Sequence, residues 1–127
     1  MRFRKFGNTK VRTEDGLTFD SKKEYARWLE LKAMEDAGLI WNLRRQVSFV
    51  LLPAVYETQT IQLKTKTKEK NVCLYRETNY IADFVYLQDG EEVVEDVKAS
   101  ADFQDPVYKL KKKLMYMMNN VKIKETY

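Results

Sequence analysis

Residues 79–100, NYIADFVYLQDGEEVVEDVKAS, constrain the fold most strongly, because they predict a β-hairpin. Two runs of β-branched and aromatic residues flank the turn sequence Asp89-Gly90, and an Asp-Gly pair between such runs is a strong signal for a two-residue hairpin loop. In the register set by this loop, Asp83 lies opposite Asp96. The hairpin is therefore expected to bring two carboxylates face to face within a sheet.

Strand alternation adds a lysine to this pair, since Lys98 follows Asp96 by two residues and shares its side of the strand. The Cβ atoms of Asp83 and Asp96 would lie roughly 4.5 to 5.5 Å apart, and like charges at that distance destabilise a sheet. A divalent cation would relieve the repulsion, because Mg²⁺ is typically bound by one or two carboxylates with phosphate oxygens and water. The face is expected to carry, besides these three, Ile81, Val85, Leu87 and Val94, whereas Glu95 points to the other side.

Composition excludes several kinds of chemistry. The 127 residues fit a single domain, residues 1–127, and they include one cysteine, Cys73, and no histidine. An internal disulfide, a zinc site of cysteine and histidine, and histidine acid-base catalysis are therefore excluded. The apolar runs are too short for a membrane span or a signal peptide, so we expect a cytoplasmic protein. The net charge of +4 mildly favours an acidic partner.

A first helix is predicted to begin after Ser21 and to end before Gly38. Ser21 and Glu24 have the spacing of a capping box, in which the glutamate bonds back to a backbone amide at the start of the helix. Glu24 is alternatively a third acidic ligand presented beside the aspartates, and the spacing leaves both roles open. The predicted apolar stripe of this helix consists of Tyr25, Trp28, Leu29 and Ala33.

A second helix is predicted after Asp105 and Pro106, which suit the N-cap and the first helical position. Its apolar side would be Val107, Leu110, Leu114 and Met117. Four lysines fill the rest of its first two turns, where cations oppose the helix dipole. These lysines are Lys109, Lys111, Lys112 and Lys113. Either an anionic partner or a need for solubility would explain them. Residues 121–124 alternate in polarity and predict a last strand.

Two other segments are rich in basic residues. Residues 1–12 form a basic arm that includes Arg4, Lys5 and Lys10, and residues 58–76 predict an inserted hairpin with a lysine-rich turn. Either segment would suit a phosphate backbone. A solvated chain terminus and a solvated hairpin tip that protects sheet edges are the alternative explanations.

The predicted order is helix, strand, inserted hairpin, two strands, helix and strand, with a mixed sheet between the helices. The order of Asp83, the triplet Asp96-Val97-Lys98 and the helix-borne Glu24 resembles the PD-(D/E)XK nuclease superfamily, although Ala82 stands where proline usually precedes the first aspartate. More narrowly, a phage-encoded domain family within that superfamily is similar in the runs LTFDSKKEYARWLEL, YIADFVYL, EDVKAS and VYKLKKKL. The resemblance implies an α/β (α+β) fold with a restriction-endonuclease-like αβββαβ core.

The resemblance also implies an activity, the metal-dependent hydrolysis of phosphodiester bonds in DNA. Asp83 and Asp96 would bind Mg²⁺ or Mn²⁺, Lys98 would orient water or stabilise the transition state, and Glu24 would join the metal shell. Gln46 occupies a position where such proteins often have glutamine, which makes it a neighbour of the site. The expected substrate is branched, recombination or replication DNA of a phage or prophage, and a homodimer would supply two active sites.

Two further functions are compatible with the sequence. A DNA-binding module that keeps the fold without catalysis would use the basic arm and the lysines of the second helix. A phage protein-interaction or regulatory factor would instead use exposed tyrosines and methionines as a partner surface.

Overall fold

The structure is a computed structural model that describes residues 9–100 and 104–127. Its elements, in chain order, are β1 (Val11–Arg12), β2 (Thr18–Phe19), α1 (Lys22–Asp36), β3 (Trp41–Leu52), β4 (Val55–Gln62), β5 (Thr67–Tyr75), β6 (Thr78–Gln88), β7 (Glu91–Val97), α2 (Pro106–Asn119) and β8 (Lys124–Thr126). Without the small β1–β2 and β4–β5 pairs, the order is αβββαβ. The predicted α/β (α+β) fold, with a mixed sheet and two helices, is confirmed.

The main sheet has the strand order β3-β6-β7-β8, in which β8 runs parallel to β7 and the other neighbours are antiparallel. The β6–β7 hairpin has the predicted register, with Gln88 opposite Glu91. Asp89 and Gly90 both have positive φ, 53° and 80°, as a type I′ turn requires. The local turn chemistry therefore sets the central hairpin as expected.

Each face of the sheet carries its own apolar core. Leu51, Val94, Met115 and Ile123 belong to the core on the α2 side. The core on the α1 side is formed by Leu31, Ile40, Phe84 and Tyr86, against which Trp28 packs. The sheet is consequently covered by α1 on one side and by α2 on the other.

The predicted capping residues are confirmed for both helices. The Ser21 hydroxyl accepts a hydrogen bond from the backbone N–H of Glu24 at 3.1 Å, and the Asp105 carboxylate accepts one from Val107 at 2.7 Å. Helix α1 ends before Gly38, whose φ is 75°. Both helix starts are therefore defined by local side-chain chemistry.

The predicted inner faces of the helices are partly wrong. In α1, Leu29 and Ala33 are exposed and Leu31 is buried instead. In α2 the predicted stripe faces solvent, since the exposed fractions are 60% for Val107, 57% for Leu110 and 65% for Met117, with only Leu114 partly buried. The side of α2 that meets the sheet instead carries Tyr108, Lys112 and Met115, spaced i, i+4 and i+7. Tyr108 and Lys112 both bond to Glu125 of β8, and these polar contacts set the rotation of the helix.

Two other predicted boundaries shift. The last strand is Lys124–Thr126 and not residues 121–124, because Ile123 is buried in the α2-side core before the strand begins. The inserted hairpin is confirmed as a two-stranded unit around a Lys64-Thr65 turn, and it starts at Val55, three residues before the predicted boundary.

Part of the predicted basic arm, including Arg4 and Lys5, lies outside the described residues, and Lys10 is exposed. Within residues 9–100 and 104–127, neither helix has the length and apolar character needed to cross a membrane.

Candidate functional site

Asp83 occupies a gap in the hydrogen-bonded ladder of the main sheet. On the β7 side the last pair from the turn is Phe84 with Glu95, so the pairing stops one residue short of Asp83. On the β3 side, Gln46 and Asp83 are missing from the otherwise continuous run of pairs from Arg44–Val85 to Val50–Asn79. Gln46 has φ of 51°, a left-handed conformation that is uncommon for any residue except glycine. Strained backbone of this kind is concentrated at functional sites.

The strands also change the faces of their side chains at this level. Tyr80 and Ala82 belong to the α2-side core, whereas Phe84 of the same parity belongs to the α1-side core. The prediction that side chains alternate strictly through Asp83 is therefore wrong. Ile81 and Val85 were predicted on one face, but Ile81 is exposed and Val85 is buried on the α2 side. The reason is the interrupted ladder, which lets β6 rotate where regular pairing would hold it.

The structure nevertheless brings Asp83 and Asp96 together. Asp83 is partly buried and its Oδ2 accepts a hydrogen bond from the backbone N–H of Val97 at 2.9 Å, while Asp96 is only 6% exposed. Burial and then the charges of Asp96 and Glu24 together raise the pKa of Asp83 to about 8. The repulsion expected between facing carboxylates is thus present in the folded chain.

Lys98 completes the predicted group. Its ammonium nitrogen lies 2.5 Å from Asp96 Oδ2 and 3.1 Å from the centre of the Tyr108 ring. A backbone hydrogen bond of 2.7 Å from the Lys98 N–H to the Thr126 carbonyl holds this segment beside β8. Lys98 therefore forms an ion pair with Asp96 and a cation–π contact with α2, which together fix its position at the site.

Glu24 is nearly fully buried, at 3% exposure, and faces the site from the start of α1. Its Oε2 accepts a hydrogen bond from the Asp20 backbone N–H at 3.3 Å, so it caps one residue earlier than the Ser21 amide of a regular capping box. Its Oε1 accepts a bond from Gln46 Nε2 at 3.3 Å and lies 3.9 Å from an Arg45 nitrogen. The same carboxylate therefore caps the helix and contacts the predicted site neighbour.

The pKa of Glu24 is raised, mainly by burial and then by the charge of Asp20, with a smaller contribution from Asp96. Since Glu24 also raises the pKa of Asp83, the three carboxylates share one electrostatic environment. They do not converge on a single point, because within residues 9–100 and 104–127 no three acidic or thiol side chains form a group that could hold an ion.

The site offers a hard divalent cation two carboxylate ligands, where a third from Glu24 had been considered. Asp83 and Asp96 are oxygen donors whose mutual repulsion a cation would remove, and two carboxylates suffice for Mg²⁺ when phosphate and water complete its shell. Glu24 is already hydrogen-bonded to Asp20 and Gln46. These contacts suit a residue that positions the site better than they suit a metal ligand.

Three side chains at the site were not predicted from the sequence: Tyr80, Arg45 and Tyr108. The Tyr80 hydroxyl is buried, and burial and the charge of Asp96 raise its pKa. Arg45 donates to the Thr18 carbonyl at 2.7 Å and lies 4.0 Å from the Phe19 ring centre, so it links β2 to Glu24. The Tyr108 ring lies beneath the Lys98 ammonium group, and its hydroxyl donates to Glu125. An isolated tyrosine or arginine in a strand or helix has no spacing signal that would reveal such roles.

The predicted DNA-binding lysines of α2 divide into two groups. A cleft of about 500 Å³ between α2 and the end of the chain is lined by Lys109, Lys112 and Lys113, together with Tyr116, Lys122, Ile123 and Glu125. Lys111 does not line this cleft and is partly buried. Sequence analysis had not included Lys122, which follows α2 and adds a fourth positive charge.

A family model matches residues 3–127, nearly the whole chain. The chain belongs to the DUF1064 family. The family is described as a protein of unknown function, so membership supplies no activity. Neither a curated protein nor a solved structure gives a significant match to this DUF1064 chain.

The raised pKa of Asp83 predicts a pH-dependent cost of folding. Because the folded-state pKa lies above its ordinary value of 3.8, the wild type loses stability as pH rises from about 4 to about 8 in the presence of EDTA. Asp83→Asn keeps an oxygen that accepts from Val97 and removes the charge, so it should melt higher than wild type near pH 8 and equally near pH 4. Thermal denaturation across this range measures the difference. A constant difference at all pH values would contradict the assigned repulsion.

Proposed function

We propose that this chain is a metal-dependent endonuclease of the PD-(D/E)XK type that hydrolyses phosphodiester bonds in DNA. The observation that carries the proposal is the group formed by Asp83, Asp96 and Lys98, two facing carboxylates and an ammonium group held within a sheet of αβββαβ order. A purely structural role would leave two repelling acids at an interrupted point of the ladder without a benefit to stability.

Asp83 and Asp96 would hold Mg²⁺ or Mn²⁺, which supplies Lewis-acid activation of the phosphate and of a bound water. Lys98 lies 2.5 Å from Asp96, so its ammonium group is placed to stabilise negative charge that develops on the phosphate oxygens. Glu24 contributes by position, since its bond to Gln46 joins the start of α1 to the strand beside Asp83. The buried Tyr80 hydroxyl is a further donor next to Asp96.

The lysine-lined cleft supports a nucleic-acid substrate. Tyr108 donates to Glu125 at 2.8 Å, and Lys112 lies 3.2 Å from the same carboxylate, while Lys98 stacks on the Tyr108 ring. These contacts connect the cleft to the carboxylates through one chain of neighbouring side chains. A phosphate backbone could therefore contact the cleft lysines while one of its phosphates lies at Asp83 and Asp96.

A protein-interaction function is the second candidate, and the exposed side of α2 favours it. The exposed fractions of Val107, Leu110 and Met117 are 57% or more, and their spacing matches one face of a helix. In the nuclease proposal the same surface would join two copies of this chain and so supply the two active sites that double-strand cleavage needs. In this second candidate the partner is instead another phage protein. This candidate predicts no DNA binding at low salt.

The test is a panel of labelled DNA substrates that comprises linear duplex, single strand, flap and four-way junction. The purified chain should cut at least one of them with Mg²⁺ or Mn²⁺ and none in EDTA. Full activity in EDTA would overturn the proposal, as would failure on all four substrates with both metals. Salt-sensitive binding without cleavage would favour the noncatalytic DNA-binding module.

A further inference from the structure

The β4–β5 hairpin stands apart from the rest of the sheet structure. The two strands pair with each other and with no other strand of the described residues. Every residue of β4 is exposed, and only Val72 in β5 is partly covered. An isolated two-stranded hairpin is at best marginally stable in water, so its surface is not explained by packing of its own.

One face of this hairpin carries a row of lysines. In the observed register, Lys68 lies opposite Ile61 and Lys70 lies opposite Gln59, while the turn contact between Leu63 and Lys66 extends the same face. Successive lysines of the row are about 7 Å apart, because side chains on one face of a strand repeat every two residues. Of the two acids in these strands, Glu69 pairs with Thr60 on the opposite face, whereas Glu57 pairs with Val72 and shares the face of the lysines.

The lysine row has no internal partner. In residues 9–100 and 104–127, none of Lys64, Lys66, Lys68 and Lys70 forms an ion pair with a carboxylate. Ile61 lies opposite Lys68 in the register, and Lys66, Lys68 and Lys70 are all exposed. The face therefore carries three positive charges against the one negative charge of Glu57.

We infer that the β4–β5 hairpin is an arm that binds the phosphate backbone of double-stranded DNA through Lys66, Lys68 and Lys70. The inference rests on the proposed function and names the substrate class of that site as duplex DNA. The arm joins the end of β3 to the start of β6, the two strands that carry Gln46 and Asp83. A second copy is a poor occupant of this face, because two such lysine rows would repel each other.

Lysine contacts to phosphates carry no sequence information, and they make binding strongly dependent on salt. The variant Lys66→Gln/Lys68→Gln/Lys70→Gln removes three charges, and Lys66→Arg/Lys68→Arg/Lys70→Arg keeps them. Binding of each full-length protein to a short fluorescent duplex is measured by anisotropy in EDTA over a series of salt concentrations. Circular dichroism and sedimentation are measured on the same samples to compare folding and oligomeric state.

The glutamine variant should bind about tenfold or more weakly at moderate salt, and its slope of log K against log salt should fall by about 2 to 3 units. The arginine variant should bind as wild type does, and two duplexes of unrelated sequence should give the same affinities. Equal affinity and slope for both variants would overturn the arm, as would a wild type that does not bind duplex DNA at low salt. A glutamine variant that changes only the oligomeric state would assign the face to a second copy.

Failure of the arm and failure of the nuclease proposal are distinguishable. A wild type that binds through the arm without cleaving in any metal contradicts the nuclease and leaves the arm intact. A wild type that cleaves, with both triple variants binding equally, contradicts the arm alone.

Discussion

If the chain is the proposed nuclease, Asp83→Asn should reduce metal-dependent DNA cleavage at least about 10³-fold, because it removes a charge that would hold the cation while it preserves side-chain shape. Its Oδ1 can still accept the hydrogen bond that Val97 donates at 2.9 Å, so the hairpin is expected to fold normally. Cleavage rates are measured under single-turnover conditions with Mg²⁺ and with Mn²⁺. The matched control is Asp89→Asn, the same chemical change in the exposed turn of the same hairpin, and it should cleave as wild type does.

Lys98→Met should show a similar loss with a different cause. The methionine side chain keeps most of the length of the lysine stem, and it loses the ammonium group that lies beside Asp96 and over the Tyr108 ring. We expect cleavage to fall about 10²- to 10³-fold, with duplex binding changed much less. If either variant cleaves within about threefold of wild type, the assigned roles are wrong.

Arg27→Ala should destabilise the fold by about 3 to 5 kcal/mol, which corresponds to a fall of roughly 10 to 20 °C in melting temperature. Glu95 is fully buried on the α1 side and accepts hydrogen bonds from Arg27 Nε at 2.6 Å and from the Tyr86 hydroxyl at 2.6 Å. Without Arg27, a carboxylate at 0% exposure loses its principal partner. Differential scanning calorimetry measures the change.

Arg27 also pairs with Glu30 at 2.9 Å, and this second pair provides the control. The Glu30 side chain is 65% exposed, so Glu30→Gln should cost at most about 1 kcal/mol. Similar losses for Arg27→Ala and Glu30→Gln would show that the buried contact contributes no more than a surface ion pair.

The pH dependence of Arg27→Ala has a defined sign. Burial alone would raise the pKa of Glu95, but the hydrogen bonds from Arg27 and Tyr86 outweigh it and hold that pKa below its ordinary value. The pair therefore stabilises the wild type above the ordinary carboxylate pKa and loses this contribution as pH falls. In the variant the buried carboxylate relaxes by protonation, so the difference in melting temperature between the two proteins should shrink in acid.

Elements defined by neighbouring residues were predictable from sequence. The Asp89-Gly90 turn sets the register of β6 and β7 through two positive φ angles, and Ser21 and Asp105 cap their helices through their own side chains. Such interactions span few residues, so the sequence contains the full information. The same register arithmetic brought Asp83 and Asp96 together before any fold was known.

The inner face of α2 was not predictable in this way. Its apolar periodicity favours Val107, Leu110 and Met117, yet Tyr108 and Lys112 turn toward the sheet because Glu125 of the last strand accepts their hydrogen bonds. A hydrophobic pattern ranks faces by transfer free energy and does not include a polar partner that lies more than ten residues away.

The surroundings of the aspartates depend on similarly distant contacts. Glu24 has a local capping partner at Asp20 and a distant one at Gln46, and spacing alone left its role open. Gln46 adopts a left-handed backbone conformation that no composition rule requires. The loss of alternation at Asp83 follows from the break in the β3–β6 pairing at Gln46. This break explains why only part of the predicted face of β6 was correct.

The central claim, that Asp83 and Asp96 together hold a divalent cation, is tested most directly by the effect of Mn²⁺ on the melting temperature at neutral pH. We expect Mn²⁺ to raise the melting temperature of the wild type progressively with concentration, because the ion binds the folded state and replaces the proton that Asp83 retains near neutral pH. Asp83→Asn should start higher in EDTA and should not respond to Mn²⁺. An unchanged wild type, or an equal increase in both proteins, would contradict the claim.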